Sequence, residues 1–88
     1  FGLAFSADEK FLYASGGNDN RILKYAISNN KLVLNDSIIL GNKSVLVSPA
    51  GIAIDNKRNL LYVVTKEDNS LYIVDLVSKS IKKKLKKF

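Results

Sequence analysis

The chain has 88 residues, 47% of them hydrophobic, and a formal net charge of +6. Residues 79–88 hold six Lys and no acidic residue, whereas the other 78 residues hold eight basic and eight acidic side chains, so the excess charge belongs to one end. The absence of Cys and His excludes disulfides, Cys–His zinc sites and a Ser-His-Asp triad within this stretch. No apolar run approaches the roughly 18 residues that a membrane helix requires.

The first half of the sequence is typical of four short strands separated by polar turns. The predicted strands cover residues 3–6, 11–15, 21–27 and 31–40, and the last is interrupted near Asn35 and Asp36. The turns are rich in Gly, Asn and Asp, which tolerate positive φ or bond to their own backbone. These breaks recur too often for a continuous helix.

The same pattern restarts after a connection at residues 43–50. Predicted strands cover residues 51–55, 60–65, 70–76 and 81–88. The single proline, Pro49, precedes the first of them, where its missing N–H does little harm.

The last element has two interpretations. Ile81, Leu85 and Phe88 have the i, i+4, i+7 spacing of a basic amphipathic helix. We favour a strand, because Ile81 stands where Leu32 begins the fourth strand of the first half, and because Lys protects exposed sheet edges from mispairing.

The two halves repeat each other at a constant offset of 49 residues, without a gap from residues 2–32 to 51–81. The identical pairs are Gly2 and Gly51, Ala4 and Ala53, Leu12 and Leu61, Tyr13 and Tyr62, Asp19 and Asp68, and Asn20 and Asn69. Four strands per unit at this period are typical of a propeller blade. We therefore predict an all-β fold of two four-stranded antiparallel β-propeller blades, residues 1–42 and 51–88. Because such arrays need about three or more units or ring closure, we expect a longer protein.

The residues of both halves resemble the YVTN-type repeat of surface-layer and lactonase-like seven-bladed propellers. The second half carries GIAID at 51–55, LYVVT at 61–65 and NSLYIVD at 69–75, and the first half carries GLAFS at 2–6, LYAS at 12–15 and NRILKY at 20–25. Thr65 departs from the usual Asn of the motif, and Ala26 stands where the second half has Asp75. The resemblance implies seven blades in the complete protein and relatives that include surface proteins and sugar-lactone hydrolases.

Candidate binding residues lie in two turns at equivalent positions, between the second and third strands of each half. At a propeller rim, their carboxylates and amides would be placed to bind a cation or a sugar hydroxyl. Turn chemistry is the alternative, and recurrence in both halves favours it. Neither turn has the ligand spacing, central Gly and distal Glu of an EF-hand loop, so we predict no metal and no cofactor. The candidates are Asn18, Asp19, Asn20 and Arg21 in the first half and Lys66, Glu67, Asp68 and Asn69 in the second.

The Lys-rich end also has two interpretations. Several Lys can neutralise phosphates on a membrane surface or a nucleic acid, with an affinity that falls steeply with salt. Proteins that bind single-stranded nucleic acids usually also have aromatic side chains on which the bases stack, and Phe88 is the only aromatic residue near these Lys residues. We favour a solvated outer strand. The residues are Lys79, Lys82, Lys83, Lys84, Lys86 and Lys87.

The sequence thus predicts a non-catalytic binding or scaffold module, extracytoplasmic, that presents rim loops. We expect its partners to be the remaining blades of the same propeller and an unidentified small molecule or protein, rather than nucleic acid or a membrane surface. Two alternatives stay open. One is a lactone or ester hydrolase, as the resemblance implies, with most catalytic residues outside this segment. The other is anionic-surface binding through the last strand.

Overall fold

The computed structural model describes residues 2–15, 20–40 and 47–86, in which every regular element is a β-strand. These strands are β1 (Leu3–Phe5), β2 (Phe11–Ser15), β3 (Arg21–Ser28), β4 (Lys31–Ile39), β5 (Pro49–Asp55), β6 (Leu60–Thr65), β7 (Ser70–Asp75) and β8 (Ser80–Lys86). Strands β1 to β4 form the first sheet and β5 to β8 the second, each with neighbours in chain order. All pairs are antiparallel, which confirms the predicted all-β fold with two four-stranded sheets.

Most strand bounds lie close to the predicted ones. The second strand of each half matches the prediction, whereas β5 begins earlier, at Pro49, which is its first residue and pairs with Thr65. The Lys-rich end forms β8, so the strand interpretation is confirmed over the helix as far as Lys86. Residues 43–46 of the predicted connection lie outside the described residues, as does Phe88.

The interruption predicted in the fourth strand is a β-bulge. Lys24 pairs with Asp36 and Tyr25 with Leu34, so Asn35 has no partner across the ladder. A residue without a strand partner bends the strand and increases its twist. The edge strand β8 has a similar shift beside β7, where Ile73 pairs with Lys83 and Val74 with Ile81.

The two sheets pack against each other through one face each, which we call the inner faces. Side chains alternate along a strand, and directly paired residues of antiparallel strands share a face. One apolar cluster joins the sheets, and Leu40 and Val47, which lie between β4 and β5, complete it. Its strand members are Tyr13, Ile22 and Ile38 of the first sheet and Leu61, Val63, Tyr72 and Val74 of the second.

The opposite faces, which we call the outer faces, are also apolar. On the first sheet, the outer face carries Leu3, Phe5, Leu12, Leu23, Tyr25 and Leu34. On the second sheet, it carries Ala53, Tyr62, Val64, Leu71, Ile73 and Leu85. Several of these side chains are exposed in the described part of the chain.

The repeat offset exchanges the two kinds of face. The outer-face residues Leu3, Phe5, Leu12, Leu23 and Tyr25 correspond, 49 positions later, to Ile52, Ile54, Leu61, Tyr72 and Val74 on the second sheet's inner face. The inner-face residues Tyr13 and Ile22 correspond to Tyr62 and Leu71 on its outer face. The sheets therefore meet head to tail, through two different faces, rather than through the same face twice.

The backbones of the two sheets approach closely at Gly2. A Cβ at Gly2 would lie 2.9 Å from the backbone N of Ile52, which is closer than real Cβ atoms come, so this contact requires glycine. Beside it, the hydroxyl of Ser15 accepts from the Gly2 N–H at 2.9 Å and donates to the Ala50 carbonyl at 3.0 Å. These bonds fix the start of β5 against the first sheet.

Candidate functional site

The candidate turns lie at one end of both sheets, where β2 and β6 finish; we call it the Asn20/Asn69 end. The contact of Ser15, the last residue of β2, with Ala50 near the start of β5 places the corresponding ends of the two sheets together. Of the predicted site residues in the first half, Asn18 and Asp19 lie outside the described residues.

Asn20 connects the first sheet to the start of the second. Its side-chain Oδ1 accepts a hydrogen bond from the Val47 N–H at 2.8 Å, and its carbonyl accepts one from the Leu40 N–H at 2.7 Å. Asn20 therefore holds the residue after β4 and a residue shortly before β5 against the start of β3. Its neighbour Arg21 begins β3, is exposed, and is opposite Ile39 of β4.

In the second sheet, Asp68 is the centre of a hydrogen-bond network. The Thr65 hydroxyl donates to Asp68 Oδ1, and the Tyr72 hydroxyl donates to Oδ2 at 2.8 Å. The Lys84 ammonium lies 3.2 Å from the same Oδ2 and 5.2 Å from the centroid of the Tyr72 ring. The Ser70 N–H donates to the Thr65 hydroxyl at 3.1 Å, which ties the two ends of the turn together.

The network changes the acidity of its members. Burial by itself would raise the pKa of Asp68, but the bonds from Thr65, Tyr72 and Lys84 outweigh burial and hold the pKa of this carboxyl below its ordinary value. Burial first, and then the bond to Asp68, raises the pKa of the Tyr72 hydroxyl. Asp68 is therefore a carboxylate at neutral pH, and both of its oxygens already accept hydrogen bonds from side chains of this chain.

The other side chains of the second turn point outwards. Asn69 has φ 48°, in the left-handed region that Asn tolerates, and it is exposed together with Lys66 and Glu67. The backbone N–H groups of Lys66 and Glu67 donate to Ser48 and Val47, so the turn is fixed while the two charged side chains remain in solvent. Asn69 also borders an open groove of about 350 Å³ on the outer face. Its lining includes Val64, Leu71, Leu85 and Lys86.

The Lys residues of the Lys-rich end divide into those with and those without an ion-pair partner. Lys79 pairs with Asp36 of the first sheet, and the bond lowers the pKa of that carboxyl. Lys84 belongs to the Asp68 network. The ammonium groups of three others form no ion pair with residues the structure describes, and Lys87 lies outside them. The three are Lys82, Lys83 and Lys86.

A second open space, of about 330 Å³, lies between the sheets at the opposite end. Lys24 borders it, with its ammonium 4.1 Å from the centroid of the Phe11 ring and 5.9 Å from that of Tyr13. The sequence did not single out Lys24, because an alternating Lys inside a strand has no distinctive spacing.

The sequence analysis did not predict the Asp68 network, because the network does not repeat between the halves. The positions equivalent to Thr65, Ser70 and Tyr72 in the first half are Gly16, Arg21 and Leu23.

Within the described ranges, no group of three or more His, Cys, Asp or Glu side chains could hold a metal ion. The same residues contain no helix long and apolar enough to cross a membrane.

No protein-family model and no curated protein matches this chain. The resemblance to the YVTN repeat therefore stays a prediction.

Proposed function

We propose that the chain is formed by two consecutive blades of a β-propeller and acts as a non-catalytic binding scaffold. One observation carries the proposal: the sheets meet head to tail, and each outer face repeats the pattern of a face that is buried between them. A unit of this kind accepts further copies in the same direction, and a closed ring of such sheets is a propeller. The YVTN resemblance, a seven-bladed ring and an extracytoplasmic location belong to this same proposal.

The binding surface in this proposal is the Asn20/Asn69 end. One turn supplies an ammonium, a carboxylate and an amide from Lys66, Glu67 and Asn69. Its backbone is held by the carbonyls of the two residues before β5 and by Asp68. A rigid turn loses little conformational entropy when a ligand binds to its side chains. Such a set of groups fits a cation or the hydroxyls of a sugar, whereas Asp68 acts by holding the turn.

The proposal is tested by NMR titration of the ¹⁵N-labelled chain with calcium chloride and, separately, with methyl glycosides of glucose, galactose and N-acetylglucosamine. We expect at least one probe to shift the amide signals of Lys66, Glu67 and Asn69. Asn69→Gly keeps a residue that tolerates positive φ and removes the side-chain amide, so it should reduce the shifts that the probe causes. Asn29→Gly is the matched control, because Asn29 has φ 51° in the turn between β3 and β4, at the opposite end of its sheet.

Three outcomes would contradict the scaffold proposal. The first is that no probe shifts these signals, and the second is that Asn29→Gly weakens the response as much as Asn69→Gly. The third is turnover of a lactone or ester by the purified chain, abolished by substitutions at this end, which would support the hydrolase alternative instead.

A second candidate function is binding to an anionic surface, and the unpaired Lys side chains of β8 favour it. The test is co-sedimentation with vesicles of mixed phosphatidylserine and phosphatidylcholine, compared with phosphatidylcholine alone, at low and moderate salt. Binding that needs the anionic lipid and weakens with salt is expected. Loss of binding in Lys82→Ser, Lys83→Ser, Lys86→Ser would support this function. An equal loss of vesicle binding in the control triple variant Lys10→Ser, Lys31→Ser, Lys57→Ser would show that binding depends only on net charge and would contradict this function.

A further inference from the structure

Each sheet leaves one apolar face uncovered in the ranges that the structure describes. On the first sheet, Leu3 and Phe5 of β1 are 55% and 52% exposed, and the edge strand adds Leu34. On the second sheet, Val64 is 54% exposed, and Leu85 is also exposed. Contiguous exposed apolar side chains of this kind mark interaction sites.

The interface inside the chain specifies what would fit each open face. The second sheet's inner face packs on the first sheet's inner face, and the equivalents of these two faces are the two outer faces. The outer face of the first sheet is thus a second version of the surface carrying Leu61 and Tyr72. The outer face of the second sheet is a second version of the surface carrying Tyr13 and Ile22. The two outer faces are therefore complementary to each other.

Gly51 provides independent support. At the internal interface, its equivalent Gly2 is required because the backbone of β5 lies against it. At Gly51, a Cβ would meet nothing within 4 Å, and its φ lies outside the left-handed region. Glycine inside a strand lowers stability without such a reason. A backbone that approaches Gly51 as Ile52 approaches Gly2 would supply the reason, and its equivalent is Leu3 on the outer face of the first sheet.

We propose that copies of this chain associate head to tail, with the second sheet's outer face of one copy on the first sheet's outer face of the next. Such a heterologous contact leaves one free face at each end of the assembly, so association continues beyond a dimer into a ring or a chain. This proposal rests on the head-to-tail arrangement of sheets that also carries the proposed function, but it does not depend on ligand binding at the Asn20/Asn69 end.

The test is sedimentation velocity of the full 88-residue chain over a range of concentrations, with circular dichroism and NMR signal dispersion as checks on folding. We expect the mean mass of the wild type to rise with concentration from the 9.7 kDa monomer to beyond a dimer. Phe5→Lys blocks the outer face of the first sheet, and Val64→Lys blocks that of the second. Each folded variant alone should stay monomeric, and an equimolar mixture should form a one-to-one dimer and nothing larger.

Mixing the two variants distinguishes head-to-tail association from association through like faces. If a face paired with the same face of another copy, each single variant would still dimerise through its intact face, and the proposal would be overturned. Val77→Lys is the matched control, because Val77 is 77% exposed in the turn after β7 and on neither face. It should associate as the wild type does. A wild type that stays monomeric at millimolar concentration also refutes the proposal.

Gly51→Val gives a readout that a merely structural role would not produce. Its side chain has open space in the single chain, so the monomer should fold with unchanged or higher stability. In the assembly it would meet the neighbouring backbone and weaken association by about tenfold or more. Unchanged association in this variant would show that no backbone approaches Gly51.

Discussion

Removing the Asp68 carboxylate should lower the free energy of unfolding more than removing an exposed ion pair does. In Asp68→Ala, the hydroxyl of Tyr72, a residue that is 2% exposed, loses its acceptor, and Lys84 loses its ion-pair partner. The Thr65 hydroxyl also loses its bond to Asp68 but keeps the Ser70 carbonyl as an acceptor at 3.2 Å. A hydrogen bond to a charged group contributes about 1.5–3 kcal/mol, and a buried donor left unsatisfied costs about 1–3 kcal/mol. Because the members share one acceptor and are not additive, we expect a total loss of about 2–4 kcal/mol.

The assay is urea unfolding at pH 7, followed by circular dichroism at a concentration where the chain is monomeric. Arg58→Ala is the control, because it removes an ion pair of 2.9 Å to Asp55 in which the Arg side chain is 73% exposed. Exposed pairs contribute about 0–1 kcal/mol. If Asp68→Ala loses no more than Arg58→Ala, the network does not hold the turn and the reasoning fails. Asp68→Asn, which keeps one acceptor and the shape, should fall between the two.

The pH dependence gives a second readout of the same network. The folded pKa of Asp68 lies below its unfolded value, so its contribution is complete above the ordinary carboxyl pKa of 3.8 and is lost as pH falls through the folded pKa. The difference between wild type and Asp68→Ala should therefore be full at pH 7 and shrink as pH falls below about 4. A difference that stays constant down to pH 2 would contradict the assignment of the carboxylate as the stabilising group.

Three further predictions concern the backbone and the other carboxylates. Glu9→Gly should raise the free energy of unfolding by about 0.5–1 kcal/mol, because Glu9 is held at φ 58°, whereas Ala7→Gly in the same turn should lower it in the same urea assay. Gly2→Val should lower it by about 1–3 kcal/mol through overlap with the β5 backbone, and Gly51→Val should not lower it. The urea midpoint of the wild type should fall as pH is lowered from 4 to 2, because hydrogen bonds lower the pKa of Asp8, Asp36 and Asp55 as well.

The sequence predicted the sheets because their signals are local and repeated. Alternating apolar residues and Asn- or Asp-rich turns set the strand bounds within about two residues, and Asn35 already marked the bulge. Which face of each sheet is buried could not be read in the same way. Both faces are apolar, as Leu12 and Tyr13 illustrate on adjacent positions of β2, so alternation gives no direction.

The candidate site was harder to predict than the fold because one residue type can serve two purposes. Asp68 and Asn69 are adjacent members of the same motif, yet one carboxylate is bound within the chain while the neighbouring amide is exposed. The difference comes from Tyr72 and Lys84, which reach Asp68 from the next two strands. Such contacts depend on strand pairing, which the turn sequence alone does not contain.

The departures from the repeat carry more information about function than the repeat itself. Positions that match at an offset of 49 build the two complementary faces, and any unit of the same kind would need them. Thr65, Ser70 and Lys66 have no counterpart of the same type in the first half, and they build or border the turn at Asn69. A repeat protein binds an individual ligand through side chains that differ between units. The Lys66–Asn69 turn is therefore the first place to substitute when a ligand is sought, and the matched apolar positions are the place to substitute when assembly is tested.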